Sequence, residues 1–318
     1  MALGEFGLIA RYFAGERFMI SDARGVVLGI GDDCAILQVP AGEDLLVTVD
    51  TLVSGVHFPA ASDPAHVAHR ALAVNLSDLA AMGARPGWFT LALTLPEVDE
   101  PWLDAFSTSL AAFARRFGIM LVGGDTTRGP LSITIQVHGT VPTGSALRRD
   151  GACAGDDVWV SGSPGRSALG LRQILAGNAD TPAAQVFLHP EPRLALGSAL
   201  RGVASAAIDV SDGLLADAGP IAERSAVAIV IEPSWLPLAP EIEALADRDD
   251  ALSLVLGGGD DYELCFTAPS QRAPEIMTIA TALGVPCTRI GRVEHGPGRA
   301  HAAGFVPRRA GYGHFTES

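Results

Sequence analysis

Lysine is absent from this chain of 318 residues, and its 22 basic residues are therefore all arginine. The absence excludes the phosphate-binding lysine of P-loop proteins, the strand lysine of protein kinases and every lysine that forms a Schiff base with a substrate or with pyridoxal phosphate. If the protein handles phosphates, we expect it to do so with metal ions, arginines and backbone amides.

Cysteine is scarce and scattered. The four cysteines are far apart in sequence and form no C-x-x-C pair, so neither a zinc site nor a disulfide framework is predicted. We expect most of them to be small core residues, including the one that follows an acidic pair. They are Cys34, Cys153, Cys265 and Cys287.

Positive charge and long apolar runs are also lacking. The formal net charge of -14 argues against nucleic acid or an anionic membrane as a partner, and no stretch approaches a membrane span. Glu5 precedes the first basic residue, Arg11, which interrupts the early apolar segment, so neither a secretory signal nor a transit peptide is predicted. We therefore expect a cytoplasmic protein.

The composition and the length are those of a well-packed protein with two domains. Hydrophobic residues make up 48% of the chain and charged residues 18%, and the chain is long enough for two full cores. Residues 142–157 are rich in glycine, alanine and charge, which places the domain boundary near residue 150. Arg148 and Arg149 lie there, and they could bind a phosphate or simply be solvated.

Glycines followed by acids recur at the ends of apolar segments. The first example is the stretch 29–35, in which Asp32 and Asp33 should point in different directions because side chains alternate along an extended segment. One could face a site while the other braces the turn. Glycine and aspartate are also what ordinary turns use, so this stretch by itself leaves both interpretations open.

Acids also lie at the ends of apolar strands further along the first half of the chain. An apolar strand over residues 45–49 ends at Asp50, and another over 121–122 opens into a glycine-rich loop with Asp125. Between them, Asp63 and Pro64 predict the start of a helix that runs to about Met82. Two of its polar residues, Asn75 and Asp78, share a face of this apolar helix and therefore need buried partners or a metal.

The second half repeats the pattern. A strand delivers Asp209, and Ser211 or Asp212 is predicted to cap the following helix, whose N-terminus suits anions. Residues 257–264 again place glycines before acids, among them Asp260.

So many carboxylates in a shared cleft would repel one another unless cations neutralised them. Oxygen-only ligands favour Mg²⁺, and Mg²⁺ commonly bridges substrate phosphates. We therefore predict ATP-dependent phosphoryl or nucleotide chemistry that rests on positioning and charge neutralisation. The acids that could converge are Asp33, Asp50, Asp78, Asp125, Asp209 and Asp212.

Six motifs together resemble those of bacterial thiamine-monophosphate kinases, and the resemblance extends from Gly4 to Tyr312. The motifs are GIGDD (29–33), TVDT (48–51), NLSDLAAMG (75–83), GGDT (123–126), IDVSDG (208–213) and DYEL (261–264).

The resemblance implies an α/β (α+β) chain with the two-domain fold of aminoimidazole ribonucleotide synthetase. Residues 1–150 would form a mixed sheet with helices that binds ATP and Mg²⁺ and mediates dimerisation. Residues 151–318 would form an α/β sandwich that completes the active site. It also implies a homodimer whose N-terminal sheets pair into a barrel.

The implied reaction is direct in-line transfer of the γ-phosphoryl group of ATP to thiamine monophosphate, assisted by several Mg²⁺ ions, without a protein nucleophile. The implied metal ligands are Asp33, Thr48, Asp50, Asp78, Asp125, Asp209 and Asp212, with Asp32 bracing the turn. The implied ATP contacts are Gly124, Asp125, Arg149 and Ser211. The implied thiamine contacts are His57, Asp260 and Tyr312, and Asp260 stands where the family pattern has glutamate.

Three alternatives remain at this point. Two are other ATP-using members of the same fold group, a ribonucleotide cyclo-ligase and a selenophosphate synthetase. The second would need a reactive cysteine or selenocysteine in its N-terminal segment, and this chain has none before Cys34. The third is a non-catalytic sensor of metal and nucleotide, against which the intact acids of all six motifs argue.

Overall fold

The chain forms two compact units in the computed structural model, which describes residues 4–19, 25–309 and 311–315. The first unit comprises the residues up to Leu79 together with Ala84–Gly144, and the second comprises Ala80–Gly83 and the residues from Ser145 onward. The domain limit at residue 150 and the roles assigned to the two domains stay predictions.

The first unit is built on a four-stranded mixed sheet. The order of its strands is β3-β6-β4-β5, in which β4 and β5 are parallel and the other pairs are antiparallel. A short hairpin of β1 and β2 precedes it. The strands are β1 (Val26–Leu28), β2 (Ile36–Leu37), β3 (Glu43–Val53), β4 (Arg85–Leu95), β5 (Met120–Arg128) and β6 (Ser132–Pro142).

Within the described residues, three α-helices accompany this sheet, namely α1 (Glu5–Leu8), α2 (Pro64–Ala81) and α3 (Glu100–Phe117), together with a π-helix over Ile9–Phe13 and a 3-10 helix over Glu16–Phe18. The predicted start of α2 is confirmed, because the carboxylate of Asp63 accepts a hydrogen bond from the backbone N–H of Ala65 at 2.7 Å. The helix α3 ends at Gly118, whose φ of 61° lies in the left-handed region that glycine adopts without strain.

Alternation along β6 decides which face of the sheet is buried. Ile133, Ile135 and Val137 are fully buried, whereas the polar residues between them are only partly so. This is the period of a strand with one face on the core.

The second unit contains a six-stranded sheet of order β12-β9-β11-β7-β10-β8. Its core is formed by side chains such as Val158, Val160, Ile208 and Ile229. The strands are β7 (Asp156–Ser161), β8 (Ala206–Asp209), β9 (Val227–Ile231), β10 (Leu264–Pro269), β11 (Cys287–His295) and β12 (Arg299–Ala302). The helices are α4 (Arg166–Leu175), α5 (Pro182–Leu188), α6 (Leu194–Ala199), α7 (Leu214–Ser225), α8 (Pro240–Glu243), α9 (Arg248–Gly257) and α10 (Ala273–Leu283).

The cysteines divide equally between surface and interior. Cys34 and Cys153 are exposed, so the expectation that most of them, Cys34 included, are core residues is wrong. Cys34 lies in the turn between β1 and β2, which the small hairpin leaves uncovered. Burial raises the pKa of the Cys265 and Cys287 thiols to about 12, and such thiols are inert as nucleophiles.

Among the described residues, no helix is both long enough and apolar enough to cross a membrane.

Candidate functional site

Two elements of the first unit bring a hydroxyl and two carboxylates together. Thr48 and Asp50 are two residues apart on β3 and therefore point to the same side of the sheet. The Thr48 hydroxyl donates a hydrogen bond of 2.5 Å to Oδ2 of Asp78 on α2. Asn75, one turn before Asp78, accepts a hydrogen bond of 3.1 Å from the backbone N–H of Asp50.

The amide of Asn75 docks α2 on the edge of the sheet. It is completely buried, and its NH₂ group donates to the carbonyl of Ala71 at 3.0 Å. A buried amide with both ends hydrogen-bonded fixes the register between helix and strand. Asp78 is thereby held opposite Thr48.

The electrostatics of this group fit a bound cation. Burial raises the pKa of Asp50 to about 6, and the negative charge of Asp78 adds to the rise. Thr48, Asp50 and Asp78 offer only oxygen donors, which suits Mg²⁺ better than a softer metal. Within the described ranges no three His, Cys, Asp or Glu side chains form a group that could hold a metal ion. Mg²⁺ is commonly bound by one or two carboxylates with phosphates and water, so this donor set fits it.

Asp32 and Asp33 lie in the exposed turn between β1 and β2. The carboxylate of Asp32 accepts a hydrogen bond of 2.8 Å from the backbone N–H of Asp33. This bond is the one expected of a residue that braces the turn.

The first unit does not bring Asp125 together with Asp50. Three strand spacings separate β5 from β3, a distance of about 14 Å. Asp125 is paired in the sheet with Ala92, Ala92 with Thr134, and Thr134 with Thr51, so these four side chains share one face. Thr51 and Thr134 are indeed hydrogen-bonded through their hydroxyls at 2.8 Å. Asp50, next to Thr51 on β3, points to the opposite face.

Gly124 is required by packing. Its φ is +152°, and a Cβ there would lie 1.9 Å from the carbonyl oxygen of Leu91 on the neighbouring strand. Any side chain at this position would displace β5 from β4.

His57 follows β3 and is partly buried. Its Nδ1 accepts a hydrogen bond of 3.0 Å from the backbone N–H of Val53, which places the proton of the neutral ring on Nε2.

In the second unit, the loop after β8 is organised by a residue that the motifs did not single out. Asp217 is buried on the first turn of α7, and its Oδ2 accepts hydrogen bonds from the backbone N–H groups of Ser211, Asp212 and Gly213 at 2.9, 3.0 and 3.0 Å. The prediction that Ser211 or Asp212 caps α7 is wrong, because Gly213 is the N-cap and no side chain caps from that position. The sequence signal for this role is the aspartate in the first turn of the helix, where an acidic side chain is favoured.

Burial raises the pKa of Asp217 to about 6, although the three N–H groups favour the charged form. Desolvation therefore outweighs the hydrogen bonds at this carboxyl.

Three of the predicted site residues of this unit lie around the same loop. The backbone N–H of Asp260 donates to the carbonyl of Ser211 at 2.8 Å, and that of Tyr312 donates to the carbonyl of Asp212 at 2.9 Å. Partial burial raises the pKa of Asp212, the nearby His314 lowers it and the charge of Asp260 raises it further. Asp209 is buried at the end of β8, at the start of this loop.

Of the two neighbouring arginines, Arg148 is engaged within its own segment. Its guanidinium makes two hydrogen bonds with Asp150, at 2.9 and 2.6 Å. Arg149 is exposed, and its carbonyl accepts a hydrogen bond from the Ser225 hydroxyl at 3.0 Å.

Comparison with known proteins gives two kinds of match. The family described as AIR synthase related protein, N-terminal domain, matches residues 31–141. The chain is also 50% identical over 299 residues to the thiamine-monophosphate kinase of Salmonella typhimurium, which covers 92% of this chain and 91% of that protein. The chain belongs to the thiamine-monophosphate kinase family. The resemblance carried by the six motifs is thereby confirmed, and the two alternatives from the same fold group are set aside.

Solved structures of thiamine-monophosphate kinases have the same fold. The enzyme from Stenotrophomonas maltophilia K279a superposes with a TM-score of 0.86 at 49% identity, covering 96% of this chain and 98% of that one. AaThiL complexed with AMPPCP and TMP superposes with a TM-score of 0.78 at 31% identity, covering 98% and 97%. The predicted α/β fold class is confirmed.

Proposed function

We propose that the protein transfers the γ-phosphoryl group of ATP to thiamine monophosphate and so forms thiamine diphosphate and ADP. Its membership of the thiamine-monophosphate kinase family, at half identity across almost the whole chain, carries this proposal. The ligands of AaThiL, AMPPCP and TMP, support it, since AMPPCP is an ATP analogue whose β,γ-bridge cannot be cleaved.

We further propose that several Mg²⁺ ions assist the reaction. The acid pair of β3 and α2, with the Thr48 hydroxyl, supports one such site. When bound, Mg²⁺ would neutralise the charge of the phosphates. The proposed ligands are Asp33, Thr48, Asp50, Asp78, Asp125, Asp209 and Asp212.

The chain itself would bind and orient the two substrates. The proposed ATP contacts are Gly124, Asp125, Arg149 and Ser211, which include an arginine for a phosphate and a loop with backbone N–H groups. The proposed thiamine contacts are His57, Asp260 and Tyr312. The exposed ring of Tyr312 suits stacking on a ring of thiamine.

Transfer is proposed to be direct and in line. The terminal phosphate of thiamine monophosphate is already ionised near neutral pH, so it needs no general base to act as the nucleophile. This property of the acceptor supports a mechanism without a phospho-enzyme, because the acceptor phosphate can attack the γ-phosphorus directly.

The assay is incubation with ATP, Mg²⁺ and thiamine monophosphate, followed by chromatography for thiamine diphosphate. Label from γ-³²P-ATP should appear in the product and never in denatured protein, whether the quench is acidic or alkaline, because phosphohistidine is lost in acid and acyl phosphate in base. With a chiral γ-thiophosphate, one in-line transfer inverts configuration at phosphorus, whereas a phospho-enzyme would retain it. No thiamine diphosphate at saturating Mg²⁺, with another acceptor phosphorylated instead, would refute the assignment. No turnover at all would favour the sensor.

A homodimer through the first unit's sheet is the second part of the proposal. Leu45, Val47 and Val49 alternate along the edge strand β3 and are 46%, 50% and 56% exposed. They lie on the same face as Thr51 and therefore as Asp125. Covering this face with a second copy would bury the apolar side chains and bring Asp125 of one copy towards β3 of the other.

Sedimentation velocity tests this arrangement. Val47→Asp places a charge in the proposed interface and is expected to convert the dimer into monomers. The matched control is Leu175→Asp, because Leu175 is also exposed, at 71%, but lies on α4 and not on this sheet; it should remain dimeric. A monomeric wild type, or a Val47→Asp protein that stays dimeric, would refute the arrangement.

A further inference from the structure

The segment 260–262 has an unusual backbone. Asp260 and Tyr262 have φ values of +68° and +52°, in the left-handed region that non-glycine residues rarely adopt. Conformations of this kind cost free energy and persist only where the surroundings hold them. The contacts of this segment show which groups hold the backbone in this conformation and which side-chain contact results from it.

Asp261 anchors the segment from within. It is 6% exposed, and its carboxylate accepts hydrogen bonds from the backbone N–H groups of Gly165 at 2.7 Å and Ser167 at 3.3 Å. Gly165, with a φ of +88°, cannot carry a side chain because a Cβ would lie 2.9 Å from the backbone of Leu254. The backbone at the anchoring site is therefore closely packed and hydrogen-bonded to Asp261.

The loop after β8 holds the segment from its other side. The backbone N–H of Asp260 donates to Ser211, and that of Tyr262 donates to the carbonyl of Val210, both at 2.8 Å. Gly259 permits this approach, since a Cβ there would lie 2.5 Å from the carbonyl oxygen of Ser211. Each of the two strained residues is thus fixed by its own backbone hydrogen bond.

The result is a contact between side chains two residues apart. The hydroxyl of Tyr262 is within 3.0 Å of Oδ1 of Asp260 and donates a hydrogen bond to it. The Tyr262 side chain is almost completely buried, whereas Asp260 is only partly buried. A buried phenol is therefore aimed at a carboxylate that solvent and ligands can reach.

We propose that Tyr262 is a positioning residue that holds the carboxylate of Asp260 in the orientation in which it meets the thiamine substrate. The inference rests on the proposed function, in which Asp260 is a thiamine contact. A carboxylate that rotates freely loses this rotational freedom when it binds a ligand. A hydrogen bond from a fixed donor restricts the rotation before binding, so less conformational entropy is lost on binding. The hydroxyl group is neutral, so it leaves the charge of Asp260 available to a cationic ring.

The test is Tyr262→Phe, which removes one oxygen atom and keeps the ring. We expect KM for thiamine monophosphate to rise up to about tenfold, because the Asp260 side chain would then have to be ordered on binding. KM for ATP, kcat and Tm should change little. The matched control is Tyr12→Phe, because Tyr12 is also buried but its hydroxyl has no hydrogen-bond partner among the described residues. No kinetic parameter should change in that variant.

A double-mutant cycle separates positioning from a merely structural role. Asp260→Gly removes the carboxylate, and glycine adopts the left-handed backbone without strain. In that background Tyr262→Phe should have no further effect on KM for thiamine monophosphate. A persisting effect would overturn the inference, as would an unchanged KM in the single variant or a parallel fall in Tm and kcat.

The outcome for the wild type distinguishes this inference from the function on which it rests. If wild-type protein phosphorylates thiamine monophosphate and Tyr262→Phe behaves like wild type, only the positioning role fails. If the wild type neither binds nor phosphorylates thiamine monophosphate, the proposed function and the inference both fail.

Discussion

Replacing Asp50 by asparagine should stabilise the metal-free protein while abolishing its activity. Burial and the charge of Asp78 raise the pKa of Asp50 from 3.8 to about 6. Its ionised form is thus less favourable in the folded than in the unfolded chain. At about 1.4 kcal/mol for each pH unit, the ionised carboxylate costs at most about 3 kcal/mol of stability.

The sign of the effect fixes its dependence on pH. The folded protein holds the proton of Asp50 more tightly than the unfolded chain, so stability in EDTA should fall as the pH rises from about 4 to about 6. Asp50→Asn cannot ionise at this position and should lack the part of the fall that Asp50 contributes, while Asp217, whose pKa is also raised to about 6, keeps its own contribution. The difference in free energy of unfolding between Asp50→Asn and the wild type should be small near pH 4 and should reach a constant value above pH 6.

Urea unfolding in EDTA at several pH values measures this difference. Asp44→Asn is the matched control, because Asp44 is an exposed carboxylate on the same strand and its change should alter the free energy of unfolding little. Added Mg²⁺ should stabilise the wild type more than Asp50→Asn. An Asp50→Asn protein that is no more stable than wild type in EDTA at pH 8 would refute the electrostatic reasoning.

Three further predictions concern the second unit. Arg193→Ala should lower the free energy of unfolding by about 3–5 kcal/mol, because the buried Glu263 loses the guanidinium that donates hydrogen bonds of 2.7 and 2.5 Å to it. Denaturant unfolding measures this loss of stability. Adding Glu263→Gln to Arg193→Ala should recover part of the loss. Asp217→Ala should raise KM for ATP more than Asp217→Asn, which keeps one acceptor for the loop N–H groups, in steady-state kinetics. Arg308→Ala, which releases exposed ion pairs with α9, should leave Tm nearly unchanged but raise KM for thiamine monophosphate a few-fold if the tail positions Tyr312.

Local chemistry in the sequence predicts elements whose signals do not depend on distant residues. Asp63 and Pro64 predicted the start of α2, and Gly118 explains the end of α3, since caps are satisfied within a few residues. The strand alternation of β6 follows from its own polar and apolar residues. The six motifs likewise predicted the family, and the comparison with known proteins confirmed it.

Burial and hydrogen-bond partners were harder to predict from the sequence, because they depend on which elements pack together. Cys34 looked like a core residue beside an apolar run, yet the small hairpin leaves it exposed. Ser211 and Asp212 looked like helix caps, yet the carboxylate of Asp217 takes their backbone N–H groups. A local sequence pattern does not show which of several nearby oxygen atoms accepts the hydrogen bonds of these N–H groups.

The recurring placement of acids after glycines and apolar runs is a property of the sequence by itself. It determined the chemistry to expect, which is the binding of metal ions by oxygen ligands and reactions of phosphates. Only the tertiary structure decided how the acids are grouped. Asp50 and Asp78 meet because α2 docks on β3, whereas Asp125 lies three strands away on the opposite face of the sheet. The physical reason is that strand order and register arise from contacts between residues far apart in the chain, which the motifs do not encode.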